Sequence, residues 1–189
     1  VKPGEAVLDL CAAPGGKSTQ LAAALQGEGI LIANEIHPAR CKILSQNIER
    51  MGIGNCVVTN ETPDGLSGRF FRAFDCVVVD APCSGEGMFR RHPETRAEWN
   101  EDSPVGCAKR QAEILDCAAE MLRPGGRIVY STCTLNSVEN EETVATFCKR
   151  HPDFAPEAFE LPGASAPTGM LTCYPHRMRG EGHFVALLL

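Results

Sequence analysis

The sequence lacks several features that would assign it to whole classes of protein. None of its ten cysteines occurs in a C-x-x-C pair, which gives little support to a zinc knuckle or a zinc ribbon. No uninterrupted apolar run approaches the length of a membrane span, and no signal peptide is visible at the N-terminus. We therefore expect a reduced, cytoplasmic protein without a metal or a membrane partner, in which several cysteines are small apolar side chains.

The chain also lacks the excess of positive charge that is typical of domains that bind a nucleic acid over a broad face. It has 18 Lys and Arg against 24 Asp and Glu, which gives a formal net charge of -6. Any nucleic-acid binding must therefore depend on local basic clusters or on parts of a longer protein. Because the chain starts without methionine and enters a buried strand almost at once, we expect residues 1–189 to form one domain of such a protein. No pattern in the sequence determines the oligomeric state, for which a monomer is the default expectation.

Short apolar runs alternate with helical patterns, which is typical of βαβ units and a parallel sheet. Strands are predicted at 6–10, 30–34, 56–59, 74–80, 127–131 and 183–189, and helices at 17–25, 38–51, 108–121 and 136–150. Asn136 is the predicted N-cap of the last helix, with Glu139 three residues later as in a capping box. Segments 81–105 and 156–172 are predicted as loops, the second with one short strand. The pattern predicts an open, doubly wound, mostly parallel α/β sheet.

In such sheets, ligands bind beyond the carboxyl ends of the strands, where a glycine-containing loop follows the first strand. The loop ends in Gly-Lys-Ser, as a P-loop does, but the first glycine of that motif would fall at Cys11. Pro14 also removes one amide donor, so phosphate binding is disfavoured. The small residues would instead let a ligand approach the backbone, with Lys17 attracting a carboxylate and Glu35 accepting hydrogen bonds from two ribose hydroxyls. A tight turn with a solvated lysine is the alternative.

Two cysteines occupy equivalent positions, each just after a predicted strand. Cys83 lies in the sequence DAPCSG, and Cys133 lies in STCT. A cysteine past a strand end is more exposed than one inside a strand, and a nearby helix N-terminus can lower its pKa. Either residue alone is readily explained as a small apolar filler at a turn. Together, flanked by Asp80 and the glycine loop, they indicate a nucleophile and an assisting group for covalent catalysis.

These motifs together resemble the Sun-type (NSUN-like) RNA cytosine-C5 methyltransferases, most closely the bacterial branch that modifies small-subunit ribosomal RNA. The motifs are DLCAAPGGKSTQLA at 9–22, ANE at 33–35, DAPCSGEGMFRRHP at 80–93, LRPGGRIVYSTCT at 122–134 and YPHRMRGEGHFVALL at 174–188. The resemblance implies a Rossmann-like class I methyltransferase fold with seven strands and an antiparallel C-terminal strand. It also implies S-adenosyl-L-methionine as the cofactor and RNA, ribosomal RNA in particular, as the partner.

The resemblance also implies a role for each site residue. Cys133 is implied to be the nucleophile that attacks C6 of cytosine, Cys83 to assist its release, and Asp80 to bind the base. The implied cofactor contacts are Cys11, Ala12, Ala13, Pro14, Gly15, Gly16, Lys17, Glu35 and Asp80. Family members commonly have an acidic residue after the third strand that contacts the adenine side of the cofactor. This chain has Asn60 followed by Glu61 there, and either residue is a candidate for that cofactor contact. A tRNA cytosine-C5 methyltransferase and a non-catalytic ribosome-assembly protein of the same fold remain alternatives.

A basic stretch within segment 81–105 is a candidate RNA contact. It contains Arg90, Arg91, His92 and Arg96, with Phe89 beside them. Arginine can contact phosphates, and an aromatic ring can stack on a base that has left its own stack. The alternative is a solvated loop in which Phe89 packs into the protein.

Overall fold

The computed structural model describes residues 1–189, apart from the side chain of Glu98. The first half of the chain has this order of elements: β1 (Ala6–Asp9), α1 (Gly16–Leu25), β2 (Ile30–Asn34), α2 (Pro38–Arg50), β3 (Cys56–Thr59), α3 (Pro63–Ser67) and β4 (Phe74–Asp80). The second half continues with a 3-10 turn (Glu86–Met88), α4 (Thr95–Glu98), α5 (Ser103–Met121), β5 (Leu122–Thr132), α6 (Glu141–Arg150), β6 (Phe159–Leu161), β7 (Ala164–Ala166), β8 (Met170–Cys173) and β9 (His183–Leu188).

The strands form a seven-stranded sheet and a separate two-stranded one. The larger sheet has the order β3-β2-β1-β4-β5-β9-β8, and β6 pairs with β7. Strand β1 runs parallel to β2 and β4, β2 runs parallel to β3, and β8 runs antiparallel to β9. The predicted α/β class, with a mostly parallel sheet and an antiparallel C-terminal strand, is therefore confirmed.

The chain divides into two compact units, of which the first comprises Val1–Asp80 and Cys117–Ile128. Its strands are apolar on both faces, as the strands of a parallel sheet covered by helices should be. The fully buried strand residues include Val7, Leu8, Leu31, Val77 and Val79. Leu25 of α1 and Leu44 of α2 are equally buried, so both helices bury part of their surface in the core of this unit.

An ion pair joins the start of β1 to β5 within the first unit. The Arg127 guanidinium donates from Nη1 to Oε1 of Glu5 at 2.9 Å and from Nη2 to Oε2 at 2.7 Å. The Glu5 side chain is only 16 % exposed, and the amide of Lys2 donates to the same carboxylate. These hydrogen bonds lower the pKa of Glu5 to about 2, with the Arg127 contact as the largest cause.

The second unit comprises Ala81–Asp116 and Val129–Leu189. Its core contains several large aromatic rings. Tyr130 and Phe184 meet edge to face with centroids 6.2 Å apart, and Phe147 of α6 lies 5.3 Å from Phe154. Phe147 also stacks on His151, whose ring nitrogen is 2.7 Å from the Asp116 carboxylate. This unit therefore combines an aromatic core with a partly exposed polar contact between His151 and Asp116.

Two predicted helix starts are wrong. Helix α5 begins at Ser103 rather than at 108, because Ser103 Oγ accepts the amide of Asn100 and Ser103 donates its own amide to the Asn100 carbonyl. Helix α6 begins after Asn140, not after Asn136. Asn136 instead accepts the amide of Val138 in a local turn, and the Glu139 side chain points into the protein, so the predicted capping box does not form.

The extent of strand structure also differs from the prediction. Strand β5 spans 11 residues and includes the Pro-Gly-Gly segment that was predicted to precede it. Segment 156–172, predicted as a loop with one short strand, contains β6, β7 and the start of β8. The first two strands have three residues each, too few to show the alternation that predicts a strand. Helix α3 was not predicted either, because its five residues are too few to show a helical period.

Candidate active site

The turn from β1 to α1 is shaped by its glycines. Gly15 has φ 109° and ψ 5°, and its amide donates to the carbonyl of Ala12 at 2.8 Å. A Cβ on Gly15 would lie 3.1 Å from Leu44 Cδ1, whereas a Cβ on Gly16 would meet nothing within 4 Å. Gly15 is therefore required by the backbone and by packing, while Gly16 borders open space where a ligand can approach the chain.

Helix α2 holds this turn from outside, through two side chains that the sequence analysis did not identify. Arg40 donates from Nη2 to the carbonyl of Ala13 at 2.8 Å, and Asn47 donates from Nδ2 to the carbonyl of Pro14 at 2.7 Å. These are the carbonyls that a tight turn leaves without a backbone partner. The turn is consequently fixed by residues about 30 positions away in the sequence, for which no local pattern is a signal.

Glu35, directly after β2, has an unusually buried carboxylate, with 3 % of the residue exposed. One carboxylate oxygen accepts the amide of His37 at 2.9 Å, and the other lies 3.4 Å from Arg40 Nη1. Asn60, after β3, donates its side-chain amide to the carbonyls of Glu35 and Ile36 at 2.6 and 3.0 Å. The Asn60 side chain therefore contacts the backbone of Glu35, the residue predicted to bind the ribose of the cofactor.

Asn34 is a further buried polar residue that sequence reasoning missed. Its Nδ2 donates to the carbonyls of Leu10 and Glu61, and its Oδ1 accepts from the Thr59 hydroxyl and the Glu61 amide. All four hydrogen-bonding positions of the amide are thus used to join the ends of β1, β2 and β3. The signal that could have found Asn34 is an amide at the end of an otherwise apolar strand.

Asp9, at the end of β1, is fully buried. One oxygen accepts the Ser18 hydroxyl at 2.6 Å, and the other has no hydrogen-bond partner among the described residues. Burial raises the pKa of Asp9 to about 6, against the lowering effect of the Ser18 hydrogen bond. Burial also raises the pKa of the neighbouring Cys11 to about 12, with Asp9 and Glu35 as further causes, so Cys11 stays a thiol.

The Lys17 ammonium is paired, because it lies 2.7 Å from the Asp80 carboxylate at the end of β4. The two side chains are 43 % and 36 % exposed. Lys17 is predicted from the sequence to attract a cofactor carboxylate, whereas its pairing with Asp80 is visible only in the structure. The pair joins two residues that the resemblance assigned to the cofactor.

These residues fit a ligand that carries a ribose and an amino-acid group. Glu35 offers carboxylate oxygens at the end of β2, as dinucleotide folds do for ribose hydroxyls. Gly16 leaves room beside the backbone, and the second oxygen of Asp9 is a buried acceptor without a partner. A bound amino group or a positively charged atom would satisfy such an acceptor.

The two predicted catalytic cysteines lie in contact within the second unit. Their sulfur atoms are 3.2 Å apart, and the Cys133 amide donates to the sulfur of Cys83 at 3.3 Å. The contact with Cys133 raises the pKa of the Cys83 thiol well above its ordinary value, and burial raises it further. Cys83 therefore keeps its proton, and its S–H can donate a hydrogen bond to the sulfur of Cys133.

A buried polar network surrounds this pair, and its centre is Glu139. The Glu139 carboxylate accepts the Ser84 amide at 2.9 Å, the Ser84 hydroxyl, and Nε2 of Gln111 at 2.9 Å. Gln111 also donates to the carbonyl of Pro82 at 3.0 Å, and the Tyr130 hydroxyl donates to the carbonyl of Glu139 at 2.7 Å. Sequence reasoning placed Glu139 in a capping box, so its part in this network was missed.

The basic stretch after Cys83 is partly engaged within the second unit. Arg90 donates to the carbonyl of Gly180 at 2.9 Å and pairs with Glu181 at 3.1 Å. Phe89 meets Trp99 edge to face with centroids 6.4 Å apart, and the Arg96 guanidinium lies 5.7 Å from the Phe89 ring. Phe89 is therefore packed against the loop, while Arg91 and His92 are exposed.

Among the side chains that the structure describes, no cluster of three or more His, Cys, Asp or Glu is arranged to hold a metal ion. In the same part of the chain, no helix combines the length and the apolar character needed to cross a membrane. All ten cysteines are free thiols.

Comparison with known proteins connects this geometry to a family. Residues 1–189 match the family model described as 16S rRNA methyltransferase RsmB/F. The ribosomal RNA small subunit methyltransferases F of Escherichia coli and Cronobacter sakazakii are 42 % identical over 193 residues and 43 % identical over 194 residues. Each alignment covers 96 % of this chain and 39 % of the relative, so the chain spans about two fifths of the length of these proteins.

A solved structure supports the same assignment. NSun6 from Pyrococcus horikoshii, crystallised with SFG, superposes with a TM-score of 0.89 at 29 % identity. The superposition covers 100 % of this chain and 48 % of that one. The Sun-type resemblance and the Rossmann-like methyltransferase fold predicted from the sequence are thereby confirmed, and the chain belongs to the 16S rRNA methyltransferase RsmB/F family.

Proposed function

We propose that this chain is the catalytic part of a cytoplasmic, S-adenosyl-L-methionine-dependent methyltransferase that modifies carbon 5 of cytosine in small-subunit ribosomal RNA. The observation that carries the proposal is the contact between the two cysteine loops, in which the Cys83 and Cys133 sulfurs lie 3.2 Å apart. Membership of the RsmB/F family and the similarity to ribosomal RNA small subunit methyltransferase F support the substrate class.

The glycine turn and the residues after β2 and β3 form the proposed cofactor site. Bound S-adenosyl-L-methionine would supply a methyl group on a positively charged sulfur. Backbone groups of 11–16 would line one side of the site, Glu35 would accept the ribose hydroxyls, and Asn60 would support Glu35 through its carbonyl. Lys17 would attract the cofactor carboxylate while it orients Asp80, to which it is paired at 2.7 Å.

Cys133 is the proposed nucleophile. One is needed because cytosine C5 is too weak a nucleophile to attack an electrophile directly. The Cys133 thiolate adds to C6, and the displaced electron pair makes C5 nucleophilic. Asp80 would hydrogen-bond the ring edge, where negative charge develops during this addition. The S–H of Cys83, whose pKa is raised by the contact with Cys133, can stabilise the Cys133 thiolate by donating a hydrogen bond to its sulfur.

Release reverses the addition after C5 has received its methyl group. The C5 proton is lost to water, its electron pair restores the C5–C6 double bond, and the bond between C6 and the Cys133 sulfur breaks. Cys83 assists this step, because its S–H can hydrogen-bond the departing thiolate at the distance observed between the two sulfurs. A substitution that removes the sulfur of Cys83 should therefore slow release more than addition.

The test uses the protein as it occurs, with whatever sequence flanks residues 1–189. Wild type, Cys83→Ser, Cys133→Ser and the control Cys148→Ser, which changes a thiol on α6, would each be incubated with cofactor and small-subunit ribosomal RNA or transfer RNA. We expect a covalent RNA adduct on denaturing gels to accumulate with Cys83→Ser and to be absent with Cys133→Ser. Cytosine methylation by Cys133→Ser should fall by at least about 1,000-fold, as for loss of other catalytic nucleophiles.

Two results would contradict the proposal. If the Cys133→Ser variant methylated cytosine at the wild-type rate, Cys133 would be excluded as the nucleophile. Robust methylation of transfer RNA without modification of ribosomal RNA would replace the proposed substrate. The Cys148→Ser control should behave as wild type in both assays, because its sulfur has no part in the contact between Cys83 and Cys133.

A further inference from the structure

The neighbours of both cysteines add side-chain and backbone contacts to those that the cysteines make themselves. Pro82 and Ser84 flank Cys83, and Thr132 and Thr134 flank Cys133. Ser84 is hydrogen-bonded directly to Glu139, and both threonines are hydrogen-bonded directly to Asn140. Pro82 is linked to Glu139 through Gln111. Two consecutive residues in the turn before α6 are thus connected to both cysteine loops.

Glu139 holds the loop of Cys83. Its carboxylate accepts both the amide and the hydroxyl of Ser84, and it shares Gln111 Nε2 with the carbonyl of Pro82. Glu139 and Gln111 are both fully buried, so these hydrogen bonds are shielded from competition with water. A surface turn has no need of a buried carboxylate, whose transfer from water is costly unless several donors satisfy it.

Asn140 holds the loop of Cys133 by contacts on both sides of it. Its Oδ1 accepts the Thr132 hydroxyl at 2.6 Å, and its Nδ2 donates to the carbonyl of Thr134 at 3.2 Å. Asn140 and both threonines are fully buried. A single amide therefore grips the residues immediately before and after Cys133, and this constrains the position of its sulfur.

We propose that Glu139 and Asn140 are positioning residues that set the separation of the two sulfurs, with Glu139 acting on Cys83 and Asn140 acting on Cys133. The inference rests on the proposed function of the cysteines. A contact of 3.2 Å between two sulfurs is sensitive to small movements of either loop, because an S–H hydrogen bond weakens rapidly with distance. Misplacement of a catalytic group by about 1 Å can cost about 100-fold in rate.

Substitution of the two residues should therefore have opposite effects on the level of the covalent RNA adduct. Loss of the Glu139 carboxylate displaces Cys83, so addition continues and the covalent RNA adduct accumulates. Loss of the Asn140 amide displaces Cys133, so the adduct forms slowly and does not accumulate. A merely structural role would not produce this difference, because a general loss of folded protein lowers both steps together.

The experiment uses the whole protein with small-subunit ribosomal RNA and S-adenosyl-L-methionine. Glu139→Ala, Asn140→Ala, Cys83→Ser and the charge-matched control Glu142→Gln would be compared for adduct level, kcat and KM. Glu142 is exposed, and its carboxylate accepts the Ser137 hydroxyl at 2.8 Å. We expect kcat to fall by about 10- to 100-fold in both alanine variants, with KM for the cofactor within about twofold of wild type.

The conservative variant Glu139→Gln supplies a rescue. Its amide oxygen can accept from the Ser84 amide and from Gln111, while its NH2 donates to the Ser84 hydroxyl, which then turns its proton to Thr134 Oγ1, 3.0 Å away. We expect this variant to release RNA at a rate within about threefold of wild type, since each neutral hydrogen bond is only modestly weaker than a charged one.

Each outcome has one meaning. If folded Glu139→Ala releases RNA as wild type does, or if both alanine variants show the same adduct level, the positioning roles are wrong. Should Glu139→Ala fail to fold, Ser84→Ala decides, because it removes the hydroxyl link alone and should raise the adduct level in the same direction; an unchanged level refutes the proposal. If Cys83→Ser itself gives no adduct, the proposed function fails instead.

Discussion

The glycine turn of the first unit and the cysteine loops of the second unit are built in different ways. In the glycine turn, most of the functional surface is backbone, and consecutive small residues open it to a ligand. In the cysteine loops, two side chains are functional, and buried residues from α5 and from the turn before α6 hold them. The surface of the first site is encoded in a short stretch of sequence, although Arg40 and Asn47 of α2 also hold its turn. The second site has functional side chains that depend throughout on residues far apart in the chain.

This difference explains which parts of each site are visible in the sequence. Gly15 and Gly16 form a recognisable pair, because a positive φ and open space beside the chain both demand glycine. Glu139 gives no such signal, since a glutamate three residues after an asparagine is also what a capping box requires. Only its burial and its three donors reveal a different role.

The largest expected effect concerns Glu35 and tests whether the two sites can be separated. Glu35→Gln removes one acceptor from a buried carboxylate and weakens the contact with Arg40, so cofactor affinity should fall by about 10- to 100-fold. Calorimetric titration with S-adenosyl-L-methionine measures this. The control Glu49→Gln, on the exposed side of α2, should bind as wild type, and so should Cys133→Ser. Equal affinities for Glu35→Gln and wild type would exclude Glu35 from the cofactor site.

A pair of neighbouring glycines distinguishes a structural need from a ligand-binding need. Gly15→Ala should lower the free energy of unfolding by about 2 kcal/mol, because alanine is strained at φ 109° and its Cβ crowds Leu44. Gly16→Ala should leave stability within about 0.5 kcal/mol of wild type, since its Cβ meets open space, but it should weaken cofactor binding. Urea unfolding and cofactor titration give both numbers. Equal stability losses in the two variants would show that the turn has no separate ligand face.

Asp9 should make the first unit less stable as pH rises. Because burial raises its folded pKa to about 6, above the ordinary value of 3.8, its stabilising contribution is present below pH 4 and is lost between pH 4 and 6. Relative to wild type, Asp9→Asn should gain about 2 kcal/mol in the free energy of unfolding between pH 4 and pH 7. Urea unfolding at both pH values measures the change. A difference in the free energy of unfolding between Asp9→Asn and wild type that does not vary with pH would show that the pKa of Asp9 is not raised.

Glu5 should have the opposite dependence, with a smaller effect. Its pKa is lowered from 4.5 to about 2, chiefly by the Arg127 hydrogen bonds, so its contribution is present above pH 4.5 and is lost as pH falls towards 2. Glu5→Gln should lower the free energy of unfolding by about 1–2 kcal/mol at pH 7 and by much less near pH 2.5. Thermal unfolding across this range tests it, with the exposed Glu28→Gln as a control. A constant difference down to pH 2.5 would contradict the assigned cause.

Much of the fold could be predicted because the strands of a parallel sheet are continuous apolar runs. The runs that became β2, β3 and β4 have the predicted bounds. The prediction failed where elements are short or where polar side chains turn inwards, as in α3, β6 and the start of α6. Helix α3 and strand β6 have too few residues to show a period. The start of α6 is decided by contacts of Glu139 with distant parts of the chain, of which local periodicity contains no record.

By itself, the sequence determined the order of the longer strands and helices, the glycine turn, and the placement of two cysteines just after strands. These follow from local physical rules: apolar runs become buried strands, and positive φ requires glycine. The tertiary structure decided the rest. It paired Lys17 with Asp80, brought two sulfurs to 3.2 Å, and turned Glu139 inwards towards Ser84 and Gln111. Such contacts join residues 28 to 63 positions apart, and hydrogen bonds over that separation exist only once the chain has packed.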